Sequence, residues 1–377
     1  MSFLWAFHTI RERRVISILV ASTDNGSLVY LTGTHTKEEL AAARRKTQFS
    51  CPTCGSSVIL KVGEVKTPHF AHKNLSHCAS YSEAESSMHL HGKLLLYQFF
   101  LSQNLTVELE KYFPVIRQRA DLLINQHTAI EFQCSPIPAA QIMERTLGYT
   151  RSAVQTIWIG GLSEPLAEGI QELKLTHWKK EMLLETQKSP YLLLFSPKEN
   201  RFYYCSNLIY ISGSRWIVKV KSLAASKQQF PFAVPKQMTL AEFKTMSGLF
   251  DHARKKFIIA QYYSKNRVQN PFWRTCYEMG IDIRNLPKAI GLPMKNADLI
   301  NCNAVLWQLQ AVEAACKGIT AASLIRSGKI PVHKSAAAKE AEALVESYLS
   351  LYEKLKGKSN QVSGYTNLLY DFYCKTL

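Results

Sequence analysis

Ala120-Asp121-Leu122-Leu123-Ile124 and Ala129-Ile130-Glu131-Phe132-Gln133 are the two stretches that decide the fold. Each is a short apolar run broken by one carboxylate, and Asn125-Gln126-His127 between them has the composition of a hairpin turn. Upstream, Ser82 to Gln103 carries Leu90, Leu94, Tyr97, Phe100 and Leu101 at the spacing of one helical face, and Thr106 to Leu109 reads as a further strand. Downstream, Pro136 and Pro138 precede a helix from Ala139 to Ala153, and Thr156-Ile157-Trp158-Ile159 reads as a buried strand. Helix, three strands, helix and strand make an α/β core.

Beyond Gly160 the sequence predicts a basic helical stretch from Lys174 to Glu185 and strands at Tyr191–Phe195 and Arg201–Ser212. From Thr239 onward it predicts helices almost throughout. Pro231 and Pro235 interrupt the pattern and place a domain boundary near Gln229–Lys236. At the other end, Arg11-Glu12-Arg13-Arg14 before Val15–Ala21 imitates a signal peptide, but the apolar run is short. It passes through Ser22-Thr23-Asp24-Asn25-Gly26 into Ser27–Leu31, which is strand, turn, strand. Thr36 to Lys46 reads as a short helix. Three domains follow: a hairpin and metal-binding module over 1–80, the α/β core over 81–230, and a helical C-terminal domain over 231–377.

Cys51-Pro52-Thr53-Cys54-Gly55 is a knuckle, a tight turn that aims two thiolates at one tetrahedral metal. His69, His72, His77 and Cys78 follow within a short span, so the chain offers more nitrogen and sulfur than four-coordination needs. Of Cys51, Cys54, His69, His72 and Cys78, one is spare. A closed ligand set implies structural zinc that folds a module too small to fold alone.

The two strand-borne acids suggest different chemistry. A hairpin brings Asp121 and Glu131 to one Mg²⁺ or Mn²⁺, which polarises a phosphate and activates water. With the strand period of two, Gln133 points to the same side as Glu131, where its amide orients water. On the preceding helix Glu85, His89 and Lys93 fall at i, i+4 and i+8, one polar stripe that can face the strands: Glu85 as a further metal ligand, His89 and Lys93 as supports.

Lys and Arg outnumber Asp and Glu by 46 to 29, and the net charge of +17 makes a polyanion the first partner to consider. No stretch approaches the roughly 20 apolar residues of a membrane span. Nine cysteines, an odd count and mostly scattered singly, fit a reducing cytoplasm better than a disulfide framework. No Gly-x-x-x-x-Gly-Lys-[Ser/Thr] phosphate loop is present, so no ATP is implied.

Taken in order, Cys51-x-x-Cys54, His69-Phe70-Ala71-His72, Glu85-x-x-x-His89-x-x-x-Lys93, Arg119-Ala120-Asp121, Ala129–Gln133, Arg145-x-x-x-Tyr149 and Trp158-Ile159 resemble the competence protein CoiA family. The resemblance covers roughly Val15 to Gly160. It implies a restriction-endonuclease-like core of the PD-(D/E)XK type behind a zinc-ribbon-like module. It also implies a metal-dependent nuclease acting on incoming DNA during natural transformation, single-stranded or branched, beside the recombination proteins of that machinery. Asp121, Glu131 and Glu85 match the superfamily's acids, whereas Gln133 stands where a lysine is usual. That departure keeps an alternative open: a non-catalytic single-stranded-DNA-binding accessory protein on a nuclease scaffold. Arg254-Lys255-Lys256, Tyr262-Tyr263, Lys265, Arg267 and Phe272-Trp273-Arg274 interleave cations with rings. They read either as a DNA-binding strip or as an amphipathic helix with its aromatics in the core.

Overall fold

The computed structural model describes residues 17–64, 66–73, 78, 86–186, 189–333, 338–356 and 362–375. It divides into two compact units. The first takes in the described residues up to Pro165 together with Leu193–Phe202 and Leu223–Ala233, and so holds both the N-terminal module and the acid-bearing hairpin. The second is formed by Leu166–Leu192, Tyr203–Ser222 and the described residues from Val234 onward.

In the first unit a six-stranded sheet is built from β1 (Ser17–Ile18), β2 (Val20–Thr23), β3 (Leu28–Tyr30), β4 (Phe49–Ser50), β5 (Ser57–Lys61) and β6 (His69–His72), in the order β1-β6-β5-β4-β2-β3. Helix α1 (Lys37–Lys46) starts at a full capping box: Thr36 accepts from the Glu39 amide and Glu39 accepts from the Thr36 amide. Helix α2 (Ser87–Ser102) begins where the Ser86 side chain accepts from the His89 amide, and it buries Leu90, Leu94, Leu96, Phe99 and Phe100.

The remaining strands of the unit are β7 (Val107–Leu109), β8 (Tyr112–Phe113), β9 (Gln118–Arg119), β10 (Leu122–Ile124), β11 (Thr128–Gln133), β12 (Gln155–Gly161) and β14 (Leu192–Ser196, its first residue in the second unit). β10 and β11 form the expected antiparallel hairpin, with Leu122 opposite Ile130 and Ile124 opposite Thr128. Its turn holds Asn125 and Gln126 at φ 48° and 63°, the left-handed pair that matches strand twist. β11 then runs parallel to β12, with Glu131 opposite Trp158. The crossover between them is α3 (Ala139–Arg151), as parallel pairing requires. α2 approaches β11 so closely that a Cβ at Gly92 would lie 2.2 Å from the Phe132 ring, so only glycine fits there.

The second unit contains β13 (Gly169–Lys174), the short α4 (His177–Lys180), β15 (Arg201–Ser212, its first two residues in the first unit) and β16 (Arg215–Ala224, its last two residues in the first unit), ordered β13-β16-β15. The helix expected over Lys174–Glu185 is therefore a correction: Lys174 ends a strand, and only one helical turn follows. Six helices complete the unit: α5 (Leu240–Tyr262), α6 (Pro271–Glu278), α7 (Ala304–Cys316), α8 (Ala321–Arg326), α9 (Ala338–Lys356) and α10 (Val362–Lys375). Phe272, Cys276, Ile283, Leu286, Ile290, Val305 and Leu309 form one of its buried clusters. Among the described residues no helix is long and apolar enough to cross a membrane.

Candidate active site and metal centre

The knuckle closes through backbone bonds, Gly55 N–H to Cys51 O and Cys51 N–H to Ser56 O, both 2.8 Å, with Gly55 at φ +71°. β5 leaves directly from this turn and pairs with β6 so that His72 lies across from Val58, which returns the imidazole to the thiols. Cys51, Cys54, His72 and Cys78 bring one ligand atom each to within 4.8 Å of one another. The Cys54 Sγ to His72 Nε2 distance is 3.5 Å. Four donors of this kind suit tetrahedral zinc, whose bound sulfurs stand about 3.8 Å apart. Burial alone would raise the Cys54 thiol, but hydrogen bonds from Ser56, His72 and Cys51 push it down to about 6, so it is a thiolate at neutral pH. Burial raises the deeper Cys51. The spare residue is His69, whose Nδ1 donates to the Thr67 carbonyl at 2.8 Å. His77 lies outside the described residues.

The second constellation grows from the hairpin. Asp121 stands one residue before β10, not inside it. Just beyond the last ladder pair its Oδ2 accepts the Phe132 backbone N–H at 2.9 Å. Two side chains of α2 meet the same carboxylate: His89 Nε2 at 3.2 Å from Oδ2 and Lys93 Nζ at 3.1 Å from Oδ1. The His89 ring also stacks on Phe132, with centroids 5.7 Å apart and planes at 7°. Burial pushes Asp121 up, but Lys93 and His89 outweigh it and hold the carboxyl well below the usual range.

Glu131 is engaged from the other helix. Arg145 and Tyr149, four residues apart and so on one face of α3, both donate to its Oε1 at 2.5 Å. Arg145 also reaches the Arg119 carbonyl and lies 5.7 Å from the Trp158 ring centroid. Burial raises Glu131; Arg145 opposes that rise and the neighbouring Asp121 charge adds to it, leaving the carboxyl above its ordinary value. Tyr149 is raised by burial and by Glu131, so it stays a donor.

Lys93 has no exposed surface, and its second partner is Glu110, 2.9 Å away. The other oxygen of Glu110 accepts the backbone N–H groups of Leu19 and Val20, at 3.0 and 3.3 Å, in the N-terminal sheet. Three carboxylates, the buried Glu110 and Glu131 and the partly exposed Asp121, thus share two permanent cations, Lys93 and Arg145, and one histidine. Gln133 follows Glu131 on β11, and its amide donates to Ser135 O at 2.7 Å. Glu85 lies outside the described residues. Among those described, the Cys51–Cys54–His72–Cys78 group is the one compact set of three or more metal-ligating side chains.

Sequence reasoning gave no role to Glu110, Arg145 or Tyr149. The i,i+4 spacing of Arg145 and Tyr149 was a legible sign that both face one target. Glu110 carried no comparable sign, because its contacts lie 17 to 91 residues away.

An α/β core with two neighbouring acids at a hairpin end, joined to a Cys₃His group able to hold a metal, is the arrangement of a nuclease-like protein. The family model described as "Competence protein CoiA, nuclease-like domain" matches residues 85–238, and "Competence protein CoiA, N-terminal domain" matches residues 32–81. The chain belongs to the competence protein CoiA family. The Competence protein CoiA of Bacillus subtilis (strain 168) is 33% identical over 189 residues, and the match spans about half of each protein, 48% of this chain and 48% of the relative. No solved structure matches the chain.

Proposed function

We propose that this chain is a divalent-metal-dependent deoxyribonuclease of the PD-(D/E)XK type that processes incoming DNA in competent cells, within the cytoplasm. The observation that carries the reading is the convergence of Asp121, Glu131, His89 and Lys93 around one hairpin end, inside the region matched by the nuclease-like family model. Mg²⁺ or Mn²⁺ would be held by Asp121 and Glu131, with Glu85 as the upstream ligand. Carboxylate oxygens suit such hard cations. Asp121, with 13% side-chain exposure against 3% for Glu131, is the more accessible of the two. Gln133 orients the attacking water, and Lys93 supplies the positive charge that a lysine at position 133 would give. Zinc in the Cys₃His group is structural. Labelled single-stranded and duplex DNA incubated with the chain, with and without Mg²⁺ or Mn²⁺, tests the reading. Metal-dependent cutting by the parent and its loss in Asp121→Asn are expected, and equal cutting by both refutes it.

The alternative, a DNA-holding accessory protein on a nuclease scaffold, draws on one observation. Each acid is already neutralised within the chain, Asp121 by Lys93 and His89, Glu131 by Arg145 and Tyr149. It predicts salt-dependent DNA binding and no cleavage with either metal.

A further inference from the structure

The corner formed by α5, α6 and the segment joining them lies in the second unit and outside the stretches matched by the family models. Its interleaved cations and rings are sorted by the fold. Phe257, Ile258 and Trp273 pack against the buried cluster around Phe272, as an amphipathic helix requires. Other apolar side chains face out: Tyr263 is 76% exposed and Tyr277 88%. Along α5, Lys256, Ile259 and Tyr263 repeat at i, i+3 and i+7, one continuous exposed stripe.

The segment between the helices is held in shape. The Arg267 guanidinium lies 5.3 Å from the Tyr262 ring centroid and 4.7 Å from that of Trp273. It also donates to the Tyr262 carbonyl, and Asn270 caps α6 at the Phe272 amide. The exposed rings therefore stand on an ordered support and need little entropy to present a flat face.

The charge of this stretch is one-sided, and the acids that bound it, Asp251 and Glu278, are paired with Lys255 and Lys317. The 26 residues from His252 to Tyr277 contain six Lys and Arg and no carboxylate. Lys255 pairs with Asp251, and Arg267 is taken up by the two rings. Lys256, Lys265 and Arg274 are exposed and make no ion pair among the described residues. Exposed cations outside any ion pair, on the same segment as exposed flat rings, complement an anionic chain that also offers unstacked π-faces. A duplex keeps its bases stacked away from such rings, and an acidic protein surface gives them nothing to stack on.

We propose that this corner binds single-stranded polynucleotide, with bases stacking on Tyr263 and Tyr277 while Lys256, Lys265 and Arg274 follow the phosphates. The site is separate from the acid constellation and its test needs no cleavage. Fluorescein-labelled oligo(dT) is titrated with the full chain without added divalent metal, and anisotropy is followed across a salt series. Tyr263→Ala with Tyr277→Ala is expected to weaken oligo(dT) binding at least about thirtyfold, two stacks being lost, and to leave binding of an abasic phosphodiester oligomer unchanged. The Phe pair at the same positions restores affinity for oligo(dT). Lys256→Ala, Lys265→Ala and Arg274→Ala together should make the slope of log affinity against log salt shallower by about 2, since each single-strand phosphate contact contributes about 0.7. All five side chains are exposed, so thermal unfolding should match the parent. Parental affinity in the tyrosine variant, equal losses on the abasic oligomer, or an unchanged salt slope would overturn the assignment.

Discussion

Lys93→Met removes the ammonium that Glu110 and Asp121 share while roughly keeping the volume of a side chain with no exposed surface. Breaking a buried ion pair from one side costs about 3–5 kcal/mol, because the partner is left charged and dry. Here each carboxylate keeps other donors: Glu110 the Leu19 and Val20 amides, Asp121 the Phe132 amide and His89. The loss should therefore fall at the low end, about 3 kcal/mol. In a unit of this size that lowers Tm by roughly 6–12 °C. The pH dependence follows from Asp121. Its folded pKa lies below the unfolded value of about 3.9, so the stability it contributes is complete above that value and is lost as pH falls through the folded pKa. Without Lys93 the largest cause of that depression is gone, while His89 and the Phe132 amide remain. The gap between parent and variant should then be widest at neutral pH and narrow below about pH 4 as the parent loses its advantage. Thermal unfolding at a series of pH values measures both, and adding Glu110→Gln should recover part of the loss by removing a stranded charge. A destabilisation under about 1 kcal/mol, or one equally large at pH 7 and pH 3, would refute the shared-ammonium reasoning.

Glu131→Ala is expected to destabilise the first unit by about 3 kcal/mol, since it leaves the partly buried Arg145 without its carboxylate, so Glu131→Gln is the better probe of cleavage and should abolish it in a metal-dependent nuclease assay. Tyr149→Phe, which removes one donor from buried Glu131, should cost about 1–3 kcal/mol in urea unfolding; no change would mean that Arg145 alone satisfies the carboxylate. Elemental analysis should find about one zinc per chain, lost in Cys51→Ser or Cys54→Ser together with N-terminal stability, whereas His69→Ala should keep the metal. Gln133→Lys should preserve or raise cleavage if the amide merely stands in for lysine, and should gain nothing if Lys93 already supplies that charge.

The hairpin was legible because two local rules agree at β10 and β11: apolar strand composition, and a turn whose residues tolerate positive φ. Asp121 was misplaced by one residue because its side chain, not its backbone, takes the Phe132 amide where the ladder ends. β13 went unread since Gly169-Ile170-Gln171-Glu172-Leu173-Lys174 buries no residue fully and so shows no clear alternation. The acids could be picked out as charges interrupting apolar strands. Their partners could not, because Arg145 and Tyr149 reach Glu131 from across a parallel crossover, and Lys93 finds Glu110 through folding rather than spacing.

Glu110 gives the chain a property that bears on how its genes can be exchanged. One oxygen holds Lys93 in the core, the other holds the backbone at Leu19 and Val20, and no peptide bond connects these contacts directly. In a hybrid that takes its first eighty residues from one relative and its core from another, the first segment need only bring backbone N–H groups at these two positions, which any residue but proline supplies, whereas the core must bring the acid. Swaps at that junction should therefore fail chiefly where the core lacks an acid at position 110 or the first segment places proline at position 19 or 20.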